Sequence, residues 1–401
     1  MRSIYNLSNL IGPLTYQLVH HAGFVTCTDA MQIPGNVICF HVHRMPLPPL
    51  LLAGLVNIFG DRYRAVNLAK IALVLVPMAA AFSLLWKQLL HVRRLALRWQ
   101  VFLLMLVSMM LPTLLVDIIH MQVEEGYSFC LLAYAVAVLL FGGRELQTNI
   151  GAAILFALSV AGLYLTKSSM ILVCFFLVGY YCWRVRPRYL RVTVVLITLC
   201  APMGWGFYSL HATGRFTVGT SLDGINLHKG NNALFLDRYP PANDGSLDQY
   251  DAQLNDRKIF PDEWAWNDYH MHAALVFLKT HPVNDLQGDL RKANIFFVSF
   301  RKIGSERYTG TLAAVTAGSM VLFRLLLWSA CTLALFTLFS GPAEQRRAAV
   351  LYIGVVVTGA APYIVGFAFT RHASVLILPS TLYLAYWLIH AEGDREKGTL
   401  Q

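Results

Sequence analysis

The sequence predicts an all-α polytopic membrane protein: a bundle of about 9–10 transmembrane helices with one extramembrane module of about 100 residues. Three observations lead there. Hydrophobic residues make up 56% of the chain and charged residues only 13%. That is about half the charged share of a soluble domain, too little polar material to cover a globule. Apolar runs approaching 20 residues recur along the chain, and the basic residues between them gather in short loops.

The charge distribution decides what the basic balance means. The net charge is +10 and the pI about 9.3. Residues 209–310 hold 11 Lys/Arg against 12 Asp/Glu, so the apolar remainder carries +11. Positive charge in loops flanking apolar runs is the positive-inside pattern of a membrane protein, and no nucleic-acid partner is implied. Cys130, Cys174, Cys182, Cys200 and Cys331 lie in or beside apolar runs and read as small buried hydrophobes. Cys27 and Cys39 share one short segment, where an oxidising compartment would permit a disulfide. No CxxC pair or zinc spacing occurs.

Clear spans are Val66–Trp86, Trp99–Ile119, Tyr127–Phe141, Ile150–Thr166, Ser168–Trp183, Leu190–Tyr208, Thr311–Phe339, Ala348–Phe369 and Ser374–His390. Pro46–Phe59 is apolar but only ~21 Å long as a helix, which fits a juxtamembrane or re-entrant helix. Residues 4–25 form a weak first span interrupted by Gly12, Pro13, His20 and His21, whose start would lie inside a longer first helix. Three basic clusters, Lys87 to Arg98, Arg184 to Arg191 and Arg346-Arg347, fall on one side when spans are counted, the expected cytoplasmic side. The organisation is then an N-terminal transmembrane region (1–208) with a first extracytoplasmic loop (about 26–65), an extracytoplasmic module (209–310), and a C-terminal transmembrane region (311–401) with a short cytoplasmic tail. Within the module, Asp, Asn, Gly and Pro crowd 223–262, and a helix is expected from Trp264 to Thr280. Pro282 breaks it, and Asp289–Phe300 leads back to the membrane.

Few residues in this chain offer chemistry. Asp29 is the sole carboxylate before Asp61, in a segment placed outside the membrane. It would serve as a base for an acceptor hydroxyl, or simply as a polar loop residue or a helix cap after Thr28. Arg44 precedes Met45-Pro46-Leu47-Pro48-Pro49, whose prolines hold the chain extended and present the guanidinium at the membrane surface. There it suits a phosphate or an interfacial anchor. His41 and His43 alternate onto one face if extended, but two ligands without a third do not make a metal site. Lys167, Glu125 and Arg371 stand at the outer ends of spans, where charges also anchor helices. Arg324 falls near the middle of an apolar run. Either the span begins after it, or it faces the bundle interior with a partner such as Asp117.

Several of these segments line up in order with one family. The stretch from Arg44 through Met45-Pro46-Leu47-Pro48-Pro49 to Ile58-Phe59-Gly60, Glu125 before the apolar run from Tyr127, and Leu165-Thr166-Lys167 are three of them. Gly214-Arg215-Phe216, Gly224-Ile225-Asn226-Leu227, Gly230-Asn231-Asn232, Ala274 to Pro282 followed by Lys292, and Arg371-His372 with Pro379 complete the series. In this series the chain resembles the GT-C membrane glycosyltransferases, specifically the bacterial branch related to protein O-mannosyltransferases and the lipid A aminoarabinose transferase. Lys167 stands where the family has an arginine, without its following proline. Met31, Gln32 and Pro34 stand where the first loop often has a second acid or an aromatic.

The resemblance implies a GT-C fold in the cell's inner membrane. It implies a sugar donor on a polyprenyl phosphate and a glycan, lipid or protein acceptor. By the same resemblance Asp29 would be the catalytic base, and Arg44, Lys167 and Arg371 would hold the donor phosphate. Glu125, Asn226 and Asn231 would be substrate-site residues. No cofactor is predicted, and dependence on a divalent metal is left open. Two rivals are a polysaccharide polymerase or O-antigen ligase, resting on loop arginines and a histidine, and a transporter or flippase. The latter would favour paired repeats of broken helices, and no repeat is present. The orientation is testable: a reporter active only in the cytoplasm should be silent when fused near Asn243 and active near Arg186. The opposite pattern would reverse every placement above.

Overall fold

The computed structural model describes residues 11–29, 37–110, 123–239, 244–255, 258–299 and 311–398. A short helix α1 (Ile11–Val19) leads into a hairpin of β1 (Thr26–Asp29) and β2 (Val37–Phe40). The strands are antiparallel with Cys27 opposite Cys39, and these two cysteines form a disulfide. Then come α2 (Leu47–Phe59), α3 (Tyr63–His91), α4 (Leu95–Met110), α5 (Val123–Phe141), α6 (Glu145–Thr148), α7 (Ile150–Thr166), α8 (Ile171–Arg184) and α9 (Arg188–Thr213). The module holds α10 (Asp223–Gly230), α11 (Phe235–Arg238), α12 (Asp244–Asn255), α13 (Glu263–Thr280) and α14 (Pro282–Phe297). The last three helices are α15 (Thr311–Ser340), α16 (Ala343–Val365) and α17 (Ile377–Gly398).

Five of these segments are long and apolar enough to cross a membrane: Tyr63–His91, Arg188–Thr213, Ala317–Ser340, Ala343–Val365 and Arg371–Ala391. Five shorter apolar helices lie among them, Leu47–Phe59 included. Helix α5 packs against α3, α7 and α17 and is buried on every side from Phe129 to Leu139 except at Leu131 and Tyr134. A helix apolar all round belongs at the centre of a bundle, and α5 occupies that place. Outward from it, Leu73, Val76, Leu196, Phe207, Phe336 and Phe339 are exposed. Pro77, Pro202 and Pro362 sit inside apolar helices, where neighbouring helices re-satisfy the backbone group that proline leaves unpaired.

Side-chain contacts sort the connections into two ends. At one end Lys87 pairs with Glu145 at 3.6 Å and Arg184 with Glu344 at 3.1 Å. Gln147 donates to the Arg184 carbonyl at 2.8 Å, and the Tyr180 hydroxyl to that of Arg347 at 2.9 Å. All three basic clusters of the sequence therefore share one end. At the other end Tyr164 donates to the Val218 carbonyl, Trp205 to Gly219 and Tyr208 to Phe24. The module and the β-hairpin are held here.

Two sequence readings change. Pro282 breaks the first long module helix after Thr280 as expected, but the second does not wait for Asp289. Pro282 opens it at the first turn, where a missing N–H costs nothing, so α14 begins seven residues earlier than Asp289. Arg324 faces the interior, but its partners are not carboxylates. Its Nε and Nη2 donate to the Ser299 carbonyl at 3.2 and 3.0 Å, Nη2 also to Ile295 at 3.4 Å, and Nη1 to Phe296. The guanidinium closes the carbonyl end of α14, a favourable place for a cation. Asp117 lies outside the described residues. Arg324→Met should leave these carbonyls without donors, at a cost of about 1–3 kcal/mol for each group left unsatisfied. Thermal unfolding in detergent and hydrogen exchange along α14 should both register the loss, with Arg324→Lys intermediate. Unchanged exchange along α14 would remove Arg324 from this role.

Candidate functional site

The site lies at the end of the bundle that holds the module, and it starts from a carboxylate. Glu263, in the first turn of α13, is 2% exposed. It accepts the backbone N–H groups of His41 at 2.9 Å and Val42 at 3.3 Å, and the Ser221 hydroxyl at 2.7 Å. His41 Nδ1 is 3.4 Å away. Asp262 caps the same helix, accepting from the Trp264 and Ala265 N–H groups. Glu263 thus clamps the segment that follows β2 onto the module and fixes where His43 and Arg44 emerge.

His43 is 1% exposed, its ring 5.1 Å from that of Phe40, and neither ring nitrogen has a partner. Burial, followed by the charges of Arg44 and His41, pushes its pKa down to about 3. His41 is held by Glu263 while His43 points inward, so the two do not present one face to a metal. Among the described residues no three His, Cys, Asp or Glu side chains gather as a metal site. Arg44 Nη1 lies 3.2 Å from Glu124 in the first turn of α5, and its buried Nε has no partner.

Lys167 ends α7, its N–H closing on the Leu163 and Tyr164 carbonyls, and its ammonium lies 5.4 Å from the Tyr363 ring. Ser169 bonds the Tyr363 hydroxyl at 2.9 Å. On its other contact, Tyr363 stacks with His372 at 4.2 Å. Arg371, next in chain, lies over the Phe369 ring at 4.8 Å. Two of the three predicted phosphate ligands therefore gather around the Tyr363–His372 pair. The turn that carries Arg371 also packs against α5, the helix that carries Glu124.

Asn231 has a different task. Its amide nitrogen donates to the Leu227 and Val365 carbonyls, both at 2.8 Å, and its oxygen accepts from Lys292 at 2.9 Å. Lys292 is fully buried, also reaches the Val365 carbonyl at 3.3 Å, and pairs with Asp289 at 2.8 Å. Burial lowers the Lys292 pKa against the opposing pull of Asp289. The pair ties α14 and α10 to the end of α16, where Gly230 meets Gly366 so closely that a Cβ would overlap the Gly366 carbonyl. Asn226 is half-buried on α10. Asp223 opens that helix by accepting from the Thr220 N–H and hydroxyl at 2.9 and 2.8 Å, and burial raises its pKa despite those bonds. Asp29 closes β1 opposite Val37. Its side chain, like that of Glu125, lies outside the described residues.

Beside this polar region lies a cavity of about 470 Å³ lined by Phe24, Pro46, Leu50, Leu165, Trp205 and Tyr208, among others. The Trp205 and Tyr208 polar atoms are spent on the Gly219 and Phe24 carbonyls, so the walls are apolar. Pro46 lies two residues from Arg44 and Leu165 two residues from Lys167.

Compared with known protein families, curated proteins and solved structures, the chain matches none. Sequence reasoning missed Glu263, whose only signal was Asp262-Glu263 at the start of a helical pattern. It also missed Glu124, which makes the contact with Arg44.

A second buried network sets the module's response to acid. His228 Nδ1 and His270 Nδ1 are 2.9 Å apart, and His270 Nε2 lies 2.8 Å from the Asn255 oxygen. An amide oxygen only accepts, so His270 carries its proton on Nε2 and His228 donates from Nδ1. Burial lowers both pKa values. With His43, three histidines are neutral in the folded chain and bind protons more readily unfolded. Their contribution to stability is intact above the ordinary value of 6.5 and is lost as pH falls below it, towards about 3 for His43. The loss should approach ~1.4 kcal/mol per pH unit per histidine. His43→Phe removes one such group without stranding a partner. It should therefore unfold at pH 7.5 at or above the parental temperature and lose less between pH 6.5 and 5. An identical pH slope in thermal unfolding would mean His43 does not contribute.

Proposed function

We propose that the chain is a membrane glycosyltransferase of the GT-C type, moving a sugar from a polyprenyl-phosphate donor to a glycan, lipid or protein acceptor outside the cytoplasm. One observation carries this reading. An apolar cavity large enough for a stretch of prenyl chain has Pro46 and Leu165 in its walls, each two residues along the chain from a cationic residue, Arg44 and Lys167. A lipid whose tail is hydrocarbon and whose head is a phosphate has this division of chemistry. The orientation follows from the shared basic end, which belongs in the cytoplasm. A Cys27–Cys39 disulfide at the opposite end suits an oxidising compartment.

In the proposed reaction an acceptor hydroxyl attacks the anomeric carbon of the donor sugar. The new C–O bond forms as the bond to phosphate breaks, and the bond pair leaves with the polyprenyl phosphate. The hydroxyl proton goes to the Asp29 carboxylate. Positive charge at the departing phosphate stabilises the transition state more than the ground state, because negative charge grows there. Arg44 enters this arrangement already paired with Glu124, so the phosphate competes with a carboxylate for the same guanidinium. A second reading, polymerase or ligase, draws on Arg371 beside His372, since that class would rest on arginines and a histidine.

One experiment separates the readings: sugar transfer from lipid-linked donor in reconstituted membranes, normalised to folded protein. Asp29→Asn is nearly isosteric and should lower transfer about 10²–10⁴-fold while leaving donor binding in place. Arg371→Ala and Arg44→Ala should lower donor use roughly ten- to a hundred-fold, a loss of about 1.5–3 kcal/mol, with partial rescue by Arg→Lys. Normal transfer by Asp29→Asn with loss in His372→Gln would favour the polymerase or ligase reading. Lipid movement without any transfer would make the chain a transporter.

A further inference from the structure

Helix α14 has two faces. Gly288, Lys292, Ile295 and Phe296 turn inward and are buried. On the other side Val283, Leu286 and Leu290 are 66%, 61% and 65% exposed, and Val298, just past the helix end, is 44% exposed. At about 100° per residue these positions form one stripe, joined by Gln287 and Asn294 and carrying no charge. The acids of the helix lie elsewhere: Asp289 pairs with buried Lys292, and Asp285 sits one turn earlier on the same inner side. A continuous apolar stripe left to water is a liability, so its occupant needs naming.

The anchoring of α14 names it. Its terminal carbonyls are held by Arg324 and, at Phe297, by Trp328 Nε1 at 2.9 Å. Both donors lie within the apolar span Ala317–Ser340. From Ser340, at the basic end, Trp328 is ~18 Å along the helix and Arg324 ~24 Å. Hydrocarbon is about 30 Å thick, so α14 ends inside the apolar layer rather than above it. Further back, Lys292 is fixed to Val365 at the far end of α16, which is ~33 Å from Ala343. The helix therefore descends from the interface into the leaflet as it runs from Leu290 to Ser299. Its stripe also continues a surface already apolar and exposed on α15, where Val321, Leu325 and Trp328 are 44%, 51% and 37% exposed.

We propose that α14 is an embedded amphipathic helix, its stripe from Val283 to Val298 covered by lipid of the leaflet on the module side, deepest at its C-terminal end. The inference rests on the membrane placement of the bundle and not on the transfer chemistry. The docked helix would hold the module, with α13 and its Glu263 clamp, against the bilayer surface.

Cysteine accessibility in the full chain, reconstituted in phosphatidylglycerol/phosphatidylethanolamine vesicles, tests this. Val283→Cys, Leu286→Cys, Leu290→Cys and Val298→Cys are each treated with a membrane-impermeant maleimide, read against unfolded protein. Exposed Asp237→Cys on α11 marks water and exposed Leu335→Cys on α15 marks the span. Labelling should slow in the order 283, 286, 290, 298, with Leu290→Cys and Val298→Cys at least ten-fold slower than Asp237→Cys. Rates at all four positions equal to that of Asp237→Cys, with Leu335→Cys protected, would overturn the proposal and leave the membrane placement intact. Rapid labelling of Leu335→Cys as well would overturn the placement itself. Protection that persists after the protein is moved into a short-chain, loosely packed detergent would identify a protein contact as the cover and overturn lipid as the occupant.

Discussion

A carbonyl that ends a helix in apolar surroundings has no water to bond, and each one left without a donor costs about 1–3 kcal/mol. This constraint organises the end of the molecule where the module meets the bundle. Arg324 closes the last carbonyls of α14, and Lys292 with Asn231 closes that of Val365 on α16. Tyr164, Trp205 and Tyr208 reach module or hairpin carbonyls from α7 and α9, and Tyr239 bonds the Ala368 carbonyl at 2.7 Å. Each donor sits on one part and each acceptor on another, so satisfying the backbone is also what docks the module. Remove the docking and the segment 41–44 loses the Glu263 clamp that places it.

The two ends solve their electrostatics differently. The basic end carries solvent-facing pairs such as Lys87–Glu145, with side chains 62% and 61% exposed, which contribute little to stability. The module end instead buries neutral or paired groups: Glu263 ringed by donors, Lys292 with Asp289, and His228 against His270. Buried polar groups pay only when every partner is present, which makes this end stiff at neutral pH and sensitive to acid. His43 departs from that rule, with both ring nitrogens unpartnered next to Arg44. Under the proposed function the donor phosphate would meet this region, where the buried Arg44 Nε has no partner.

Much of this architecture was legible in the residues. The length of Pro46–Phe59 announced a helix too short to span, and α2 runs Leu47–Phe59; the prolines expected to hold the chain extended instead sit in its first turn, where a missing N–H costs nothing. The three basic clusters agreed on one side, and contacts such as Arg184–Glu344 bring them to one end. The helix expected over Trp264–Thr280 is α13, Glu263–Thr280. What was not legible depended on partners distant in sequence. Glu124 meets Arg44 across 80 residues of sequence, and nothing local signals the pair. Arg324 offered a choice of positions, and the carbonyls that decide it come from residues 295–299. Asn231 was expected in the substrate site through the family resemblance alone. Its three bonds to Leu227, Val365 and Lys292 commit it to holding the module.

The same commitment narrows where chemistry can occur. Glu263, Asp223 and Asn231 are each surrounded by donors or acceptors they cannot release without freeing a loop or a helix end, so none is available to take a substrate proton. Asp289 and Asp268 are held by Lys292 and Arg215, and Glu124 by Arg44. The proposed transfer would instead draw its base from Asp29 of the β-hairpin, with Glu125 at the start of α5 as the alternative. Of the two, Asp29 belongs to a strand whose partner continues directly into Arg44 and Pro46. The disulfide between Cys27 and Cys39 makes the two strands one body, so a movement of that hairpin would move the proposed base, the proposed phosphate ligand and the cavity wall together. In the proposed transfer, coupling these three groups through a single short covalent frame would keep acceptor and donor in register, the condition under which proximity contributes most to rate.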